Sequence, residues 1–291
     1  MRAARASFLA VVAILAGALL VVHIAAAHST HRYSSAHGAK IERYALHSRL
    51  LGSTMHEIGV VPHGDGRRPL LVFLHGRHDR RLRLPSWLWP QASGPDSALT
   101  DALLEALTSL GARAPVVVLL DGGEHSYFHD RRDGPWGSMI LDEAIPDAVR
   151  RFHSLPRRIA IGGISMGGYG ALFLAGREPG LFCAVGGHSP ALWEEPEDSA
   201  PGAFDDASDF MRHDVFDLAL SDAYESIPVW VDTSSNDWFH VADLAFAKLL
   251  RSRGVDVRMH VWPGWHERAY WDAHMGSYLR FYADALDRCS R

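Results

Sequence analysis

The sequence predicts a single α/β domain: a doubly wound, mostly parallel sheet with helices on both faces. Short, wholly apolar runs such as Leu70-Leu71-Val72-Phe73-Leu74 have the character of strands buried on both sides. Segments with apolar residues at helical spacing separate them. The two kinds alternate along the chain, as strand–helix–strand crossovers require. With 291 residues and 47% apolar content, one core of that size is affordable.

Arg2 and Arg5 precede an apolar run over residues 8–22, and Ala25-Ala26-Ala27 follows. This is the layout of a secretory signal cleaved before His28, so a secreted or cell-envelope location is expected. The alternative is an uncleaved anchor, the one route to a membrane association; the run reaches the roughly 20 residues of a membrane span only if counted on to Ala27. Residues 28–40 read as a flexible tail and 41–291 as the α/β domain.

Residues 41–49 and 55–61 read as two strands joined at Leu51-Gly52-Ser53, a hairpin. Pro62-His63-Gly64-Asp65-Gly66 breaks the second. The strand at 70–74 delivers His75-Gly76-Arg77 to its end. A helix over 97–110 carries Leu99, Leu103, Leu107 and Leu110 on one stripe, and a strand over 115–120 follows. His125, His129, Asp130 and Asp133 match no helical or paired-cysteine ligand spacing, so 125–137 reads as a polar loop and neither a metal nor another cofactor is expected. A helix over 141–152 contains Pro146, a kink or a late start.

A strand over 158–161 runs into Gly162-Gly163-Ile164-Ser165-Met166-Gly167-Gly168-Tyr169-Gly170 and then into helix formers. That is a strand, a sharp turn and a helix with Ser165 at the apex, where flanking glycines avoid a backbone clash. Beyond it come a strand over 181–186 and His188-Ser189-Pro190. Seven acidic side chains then fall within 194–209: Glu194, Glu195, Glu197, Asp198, Asp205, Asp206 and Asp209. The run reads as a solvated loop, a partial lid that would disfavour anionic substrates. A strand over 227–231 ends at Asp232-Thr233-Ser234-Ser235-Asn236-Asp237. A helix over 241–251, a strand over 255–262 ending at Pro263-Gly264-Trp265-His266, and a helix over 268–286 complete the domain.

A serine hydroxyl attacks a carbonyl only with a histidine to take its proton and an acid to orient that histidine. In sheets of this kind the order is serine, acid, histidine, each just past a strand. Ser165, Asp237 and His266 satisfy it. Asp232 is the competing acid, but it closes its strand, whereas Asp237 lies in the loop that can reach across. His266 alone among the histidines follows the last strand directly. The backbone amides of Arg77 and Met166 are expected to form the oxyanion hole.

Gly162 to Ala171 around Ser165, Trp136-Gly137-Ser138 with Glu143 and Pro146, Asn236-Asp237, and Gly264-Trp265-His266 with Tyr270-Trp271 together resemble the putative esterase family. That family includes esterase D (S-formylglutathione hydrolase), feruloyl esterases and the antigen 85 mycolyltransferases. The resemblance spans about residues 41–287. It implies an α/β-hydrolase fold, acyl transfer through an acyl-serine, the triad Ser165, Asp237 and His266, and oxyanion donors at Arg77 and Met166. Asp237 stands where the antigen 85 proteins carry glutamate, and His75-Gly76 where they carry Asp-Gly, which lowers the mycolyltransferase reading.

Trp87, Trp89, Trp136, Trp193, Trp238 and Trp265 fall in or beside the loops at the carboxyl edge of the strands, where ligands bind. Together they suggest an apolar acyl pocket, with Trp136, Trp193, Trp238 and Trp265 as substrate-binding candidates. The expected activity is hydrolysis of small neutral carboxylic esters by an exported serine esterase. The alternatives are acyl transfer to a sugar and, in a different class, a non-catalytic binding protein on a hydrolase scaffold. Removing residues 1–27 takes Lys+Arg from 29 to 27 against 34 Asp+Glu, a net charge of −7, and no basic patch points to nucleic acid. Two cysteines, Cys183 and Cys289, permit at most one bridge in an oxidising compartment; the sequence does not decide whether they pair, nor what oligomer forms.

Overall fold

The apolar run at residues 70–74 is a strand, β3 (Leu70–Leu74), in the middle of an eight-stranded sheet. In the computed structural model the described residues are 37–77 and 94–289. The proposed signal segment, most of the N-terminal tail, Trp87 and Trp89 lie outside them.

β1 (Ala39–Ser48) and β2 (Ser53–Pro62) form the antiparallel hairpin, and β2 pairs antiparallel with β4 (Val116–Leu120). From β4 onward the pairing is parallel, through β3, β7 (Ile159–Ile164), β8 (Val185–His188), β9 (Val229–Ser234) and β10 (Val257–Trp262). The short pair β5 (Asp130–Arg131) and β6 (Gly134–Pro135) stands apart as its own hairpin. This is an α/β-hydrolase fold, with a mostly parallel sheet.

Side chains alternate across a strand, so successive residues of β3 and β4 feed different cores. Leu70, Val72 and Leu74 with Val116, Val118 and Leu120 face α2 (Trp136–Met139), α3 (Ile145–Arg151), α4 (Met166–Arg177), α5 (Ala207–Arg212), α6 (Val215–Leu220) and α7 (His240–Ser252). Leu71 and Phe73 with Val117 and Leu119 face α1 (Asp101–Ser109) and α8 (Arg268–Arg288). On α8, Met275, Tyr278, Tyr282 and Ala285 form one stripe buried against the sheet, with Trp271 half-buried.

Several boundaries differ from the sequence reading for identifiable reasons. The helix expected from residue 97 starts at Asp101, because the Thr100 side chain caps it by accepting from the Leu103 N–H at 3.1 Å. The helix expected from 141 begins at Trp136 and passes through a π-helical turn (Ile140–Ala144) before α3. Pro146 has no N–H to give to the preceding turn, and the wider turn before it accommodates that loss. The strand expected at 181–186 is displaced to Val185–His188.

Residues 125–137 are not the polar surface loop expected. Tyr127, Phe128 and His129 are buried, the first two with φ of 54° and 57°. Trp136-Gly137-Ser138 and Glu143 are anchors of this region. The Ser138 N–H and hydroxyl bond Asp130 at 2.8 and 2.6 Å, and Glu143 accepts from the Ser48 hydroxyl and the Arg49 N–H at 2.6 and 3.1 Å.

Cys183 and Cys289 are joined in a disulfide that ties the end of α8 to the segment entering β8, closing a separation of 106 residues. Chain entropy alone would give about 4.7 kcal/mol for a closed loop of roughly 100 residues, of which disulfides typically deliver about 2–4 kcal/mol. Replacing both cysteines by alanine is expected to lower unfolding stability in urea by that amount. Recovery of two titratable thiols from unreduced, unfolded wild-type protein would contradict the bridge.

Candidate active site

Strand register decides what meets at the sheet's carboxyl edge. Leu74 lies opposite Gly163, Ile164 opposite His188, His188 opposite Asp232 and Trp262 opposite Ser234. The segments that follow, His75–Arg77, Ser165, Ser189, Ser235–Asp237 and Pro263–His266, therefore emerge side by side.

At the turn from β7 to α4, Ser165 holds φ 53° and ψ −117°, a conformation costly for any residue with a side chain. Backbone crowding imposes it. A Cβ on Gly163 would sit 2.5 Å from the Gly167 backbone, and one on Gly167 would sit 2.3 Å from the Leu74 carbonyl oxygen. The glycines in the first turns of α4 thus answer to close packing against β3, the cost to helix propensity notwithstanding. The Ser165 N–H donates to His188 O at 3.1 Å and its carbonyl accepts from Tyr169 and Ala191, which fixes the turn.

His266 Nε2 lies 2.8 Å from Ser165 Oγ, and His266 Nδ1 lies 2.9 Å from Asp237 Oδ2. The Asp237 carboxylate also accepts from the Phe239 N–H and from the Ser189 hydroxyl. Burial alone would raise the Asp237 carboxyl. The hydrogen bond and charge of His266, with the Phe239 and Ser189 donors, hold it below its ordinary 3.8 instead. An ionised Asp237 keeps the proton on Nδ1 and leaves Nε2 free to accept from the serine.

Asp232, the other acid considered, faces away into a buried hub. It accepts from Trp230 Nε1 (2.7 Å), His188 Nδ1 (2.8 Å), Tyr270 (2.8 Å) and Tyr278 (2.9 Å). His188 also bonds Tyr282 at 2.8 Å. His75 and His129, like His188, are fully buried.

At the end of β3, His75 Nε2 accepts from the Gly122 N–H at 3.3 Å, so Nδ1 carries the proton and donates to Gly76 O at 2.9 Å. A trans peptide points its N–H opposite to its carbonyl. Holding Gly76 O on the histidine ring thus turns the Arg77 N–H to the other side, and a Cβ on Gly76 would lie 3.5 Å from Ser165 Cβ. Met166 is the first residue of α4, where an N–H has no acceptor within the helix. The Arg77 side chain reaches Pro201 O at 2.9 Å and Tyr127.

Of the tryptophans, Trp238 stacks on the His266 ring at 5.7 Å and is 81% exposed. Trp193 packs on Phe239, Tyr127 and Phe204, and Phe239 meets the His266 ring at 5.2 Å. Trp265 stands out at the rim, 59% exposed. Trp136 packs on Gly123 with its indole N–H on Asp133, and is not among the rings on His266. Phe239 was not singled out in the sequence, and Ser189 and Trp271 were named there without a role in the site. Trp271 meets His266 edge-on at 5.1 Å.

Part of the negative charge of the acidic run is offset by cationic partners. Asp205 pairs with Arg131, Asp206 with Arg132, and buried Asp209 with Arg212, His129 and His213; Glu194, Glu195, Glu197 and Asp198 remain exposed. Among the described residues, His129, Asp209 and His213 form a group with metal-ligand chemistry. Asp209 already takes hydrogen bonds from the Asp205 N–H at 2.9 Å and Arg212 at 3.1 Å, and contacts both imidazoles. That saturates the carboxylate as a hydrogen-bonding network.

Burial, then the neighbouring His213, pushes the His129 imidazole from 6.5 down to about 4. The unfolded chain therefore binds this proton more tightly, and stability falls as pH drops from 6.5 towards 4. The stability lost between pH 7 and pH 5 in urea unfolding is expected to shrink by about 1–2 kcal/mol in His129→Gln. An unchanged pH dependence would contradict a neutral, buried His129.

A family model described as putative esterase matches residues 62–282. Among solved structures, a ferulic acid esterase is similar at 21% identity with a TM-score of 0.70, over 85% of this chain and 98% of that one. An S-formylglutathione hydrolase from Agrobacterium tumefaciens is similar at 18% identity and TM-score 0.70, over 87% and 97%. Mycobacterium tuberculosis MPT51 is similar at 19% identity and TM-score 0.65, over 85% and 99%.

Proposed function

The chain belongs to the putative esterase family, and from that premise we propose that it is an exported serine esterase hydrolysing small neutral carboxylic esters through an acyl-serine. One observation carries the reading. Three side chains from three separate loops, Ser165, His266 and Asp237, are joined by hydrogen bonds of 2.8 and 2.9 Å in the order that proton transfer requires.

In the proposed reaction His266 Nε2 takes the Ser165 proton as Oγ bonds to the ester carbonyl carbon. The oxyanion is held by the Arg77 and Met166 amides, the second of them at a helix N-terminus. The tetrahedral adduct then breaks its bond to the alkoxide, which leaves with the proton from His266, and Ser165 keeps the acyl group. Water, deprotonated by the same imidazole, releases the acid and restores the hydroxyl.

Trp238 and Phe239 beside His266, with Trp193 packed on Phe239, support an uncharged, apolar acyl group, with Trp265 at the rim and Trp136 contributing through the loop it anchors. No cofactor enters this scheme. Export is supported by the N-terminal pattern and by the Cys183–Cys289 bridge, which favours an oxidising compartment.

A fluorophosphonate probe is expected to label the wild type and to leave Ser165→Ala unmarked. Asp237→Asn is expected to lower kcat on p-nitrophenyl esters by about 10³–10⁴-fold through the wrong histidine tautomer. Absence of turnover above the Ser165→Ala background across a series of acyl chain lengths would favour a binding protein instead. A product that forms only with a sugar acceptor present would replace hydrolysis by acyl transfer.

A further inference from the structure

We propose that Ser189 is a positioning residue of this site, its hydroxyl donated to Asp237 so as to fix the carboxylate and temper its pull on His266. The kinetic consequence rests on the serine-hydrolase reading above; the effect on His266 does not.

The geometry of Asp237 is the starting point. Its Oδ1 accepts from the Phe239 N–H at 2.9 Å. Its Oδ2 is shared by His266 Nδ1, at 2.9 Å, and by Ser189 Oγ. Ser189 thus bonds the same oxygen that orients the imidazole.

Ser189 is fully buried and holds φ 49°, in the left-handed region that favours glycine. A serine there stays only if its surroundings over-determine it. They do: its N–H donates to Asp232 O at 2.8 Å, and the adjoining residues grip the nucleophile turn, with Ser165 N–H on His188 O at 3.1 Å and Ala191 N–H on Ser165 O at 3.0 Å. The His188 ring is clamped by Asp232 and Tyr282, each at 2.8 Å. One segment, running on from β8, therefore laces the nucleophile to the acid, and the Ser189 hydroxyl is its link to Asp237.

A hydrogen bond into a carboxylate draws off charge that would otherwise stabilise the imidazolium. Removing the donor leaves Asp237 more basic and less fixed, so His266 should hold its proton more tightly. Other groups around the pair do not supply the same effect. From β9, Asp232 is spent on its four donors. From α7, burial pushes the Asp243 carboxyl well up. From α8, Tyr270 is turned to Asp232. His266 itself faces Ser165 and the rings of Trp238, Phe239 and Trp271, with Glu267 and Arg268 beside it in its own segment.

The test is an NMR titration of the His266 Cε1 proton in the full chain, assigned with His266→Gln, for wild type, Ser189→Ala and Ser189→Gly. Both variants lack the donor, but glycine adopts the backbone conformation freely, so a folding defect of the alanine variant does not block the comparison. In both, the His266 titration curve is expected to move to higher pH than in the wild type. The acid limb of kcat/KM should move up with it, and kcat should fall roughly tenfold with KM little changed. An unmoved titration in Ser189→Gly overturns the proposal. So does a glycine variant that restores wild-type titration and kcat where alanine does not, since that would make the effect one of backbone strain. A wild type without ester turnover would remove the esterase reading, and the titration alone would then decide on Ser189.

Discussion

The structure depends on how closely three pieces of backbone approach at the end of β3. Leu74 O comes so near the turn between β7 and α4 that a Cβ at Gly163 or Gly167 would lie 2.7 or 2.3 Å from it. With both flanks reduced to backbone, the turn can be sharp enough to force Ser165 to φ 53° and present Oγ beyond the sheet. A looser junction would let Ser165 relax into the helix, and Oγ would leave His266. The strain is sustained by two all-apolar strands beneath it, β3 and β4, buried on both faces.

The histidine and acid are held from the other side of the sheet. Asp232 is a carboxylate in the core, tolerable because four donors fill it. Those donors come from β8, β9 and α8, so one residue fastens the last helix to two strand ends. The Tyr282 hydroxyl completes the contact over Gly162 and Gly186, where a Cβ would lie only 1.8 and 2.0 Å from it. The Cys183–Cys289 bridge closes the same helix at its far end. The loops carrying Asp237 and His266 leave from this fastened region, which is why two loop residues can hold bonds of 2.8 and 2.9 Å.

Much of this was legible in the sequence because close packing and sheet burial write themselves in composition. Leu70–Leu74 is wholly apolar because both faces are covered, and Gly163 and Gly167 stand where a turn this tight leaves no room for a Cβ. Asp232 and Asp237 were separable only by reach: one ends its strand, the other lies in the loop beyond. Features that depend on residues distant in sequence were not legible. Nothing in the sequence around His129 announces Asp209 and His213, which come from another loop, and Tyr127 and Phe128 are buried by the same assembly. Ser189 carries no motif, since its backbone conformation and its bond to Asp237 both come from tertiary contacts. The helix start at Trp136 was hidden by Pro146, whose accommodation needs a π turn that no periodicity signals.

In the reaction proposed for this site, Ser165 carries the acyl group. Intact-protein and peptide mass spectrometry of enzyme quenched in acid during turnover of a slowly hydrolysed ester tests it directly. A mass gain equal to the acyl group, located on the peptide containing Ser165, is the predicted result. Turnover with no adduct there, or with the adduct on another residue, would contradict it.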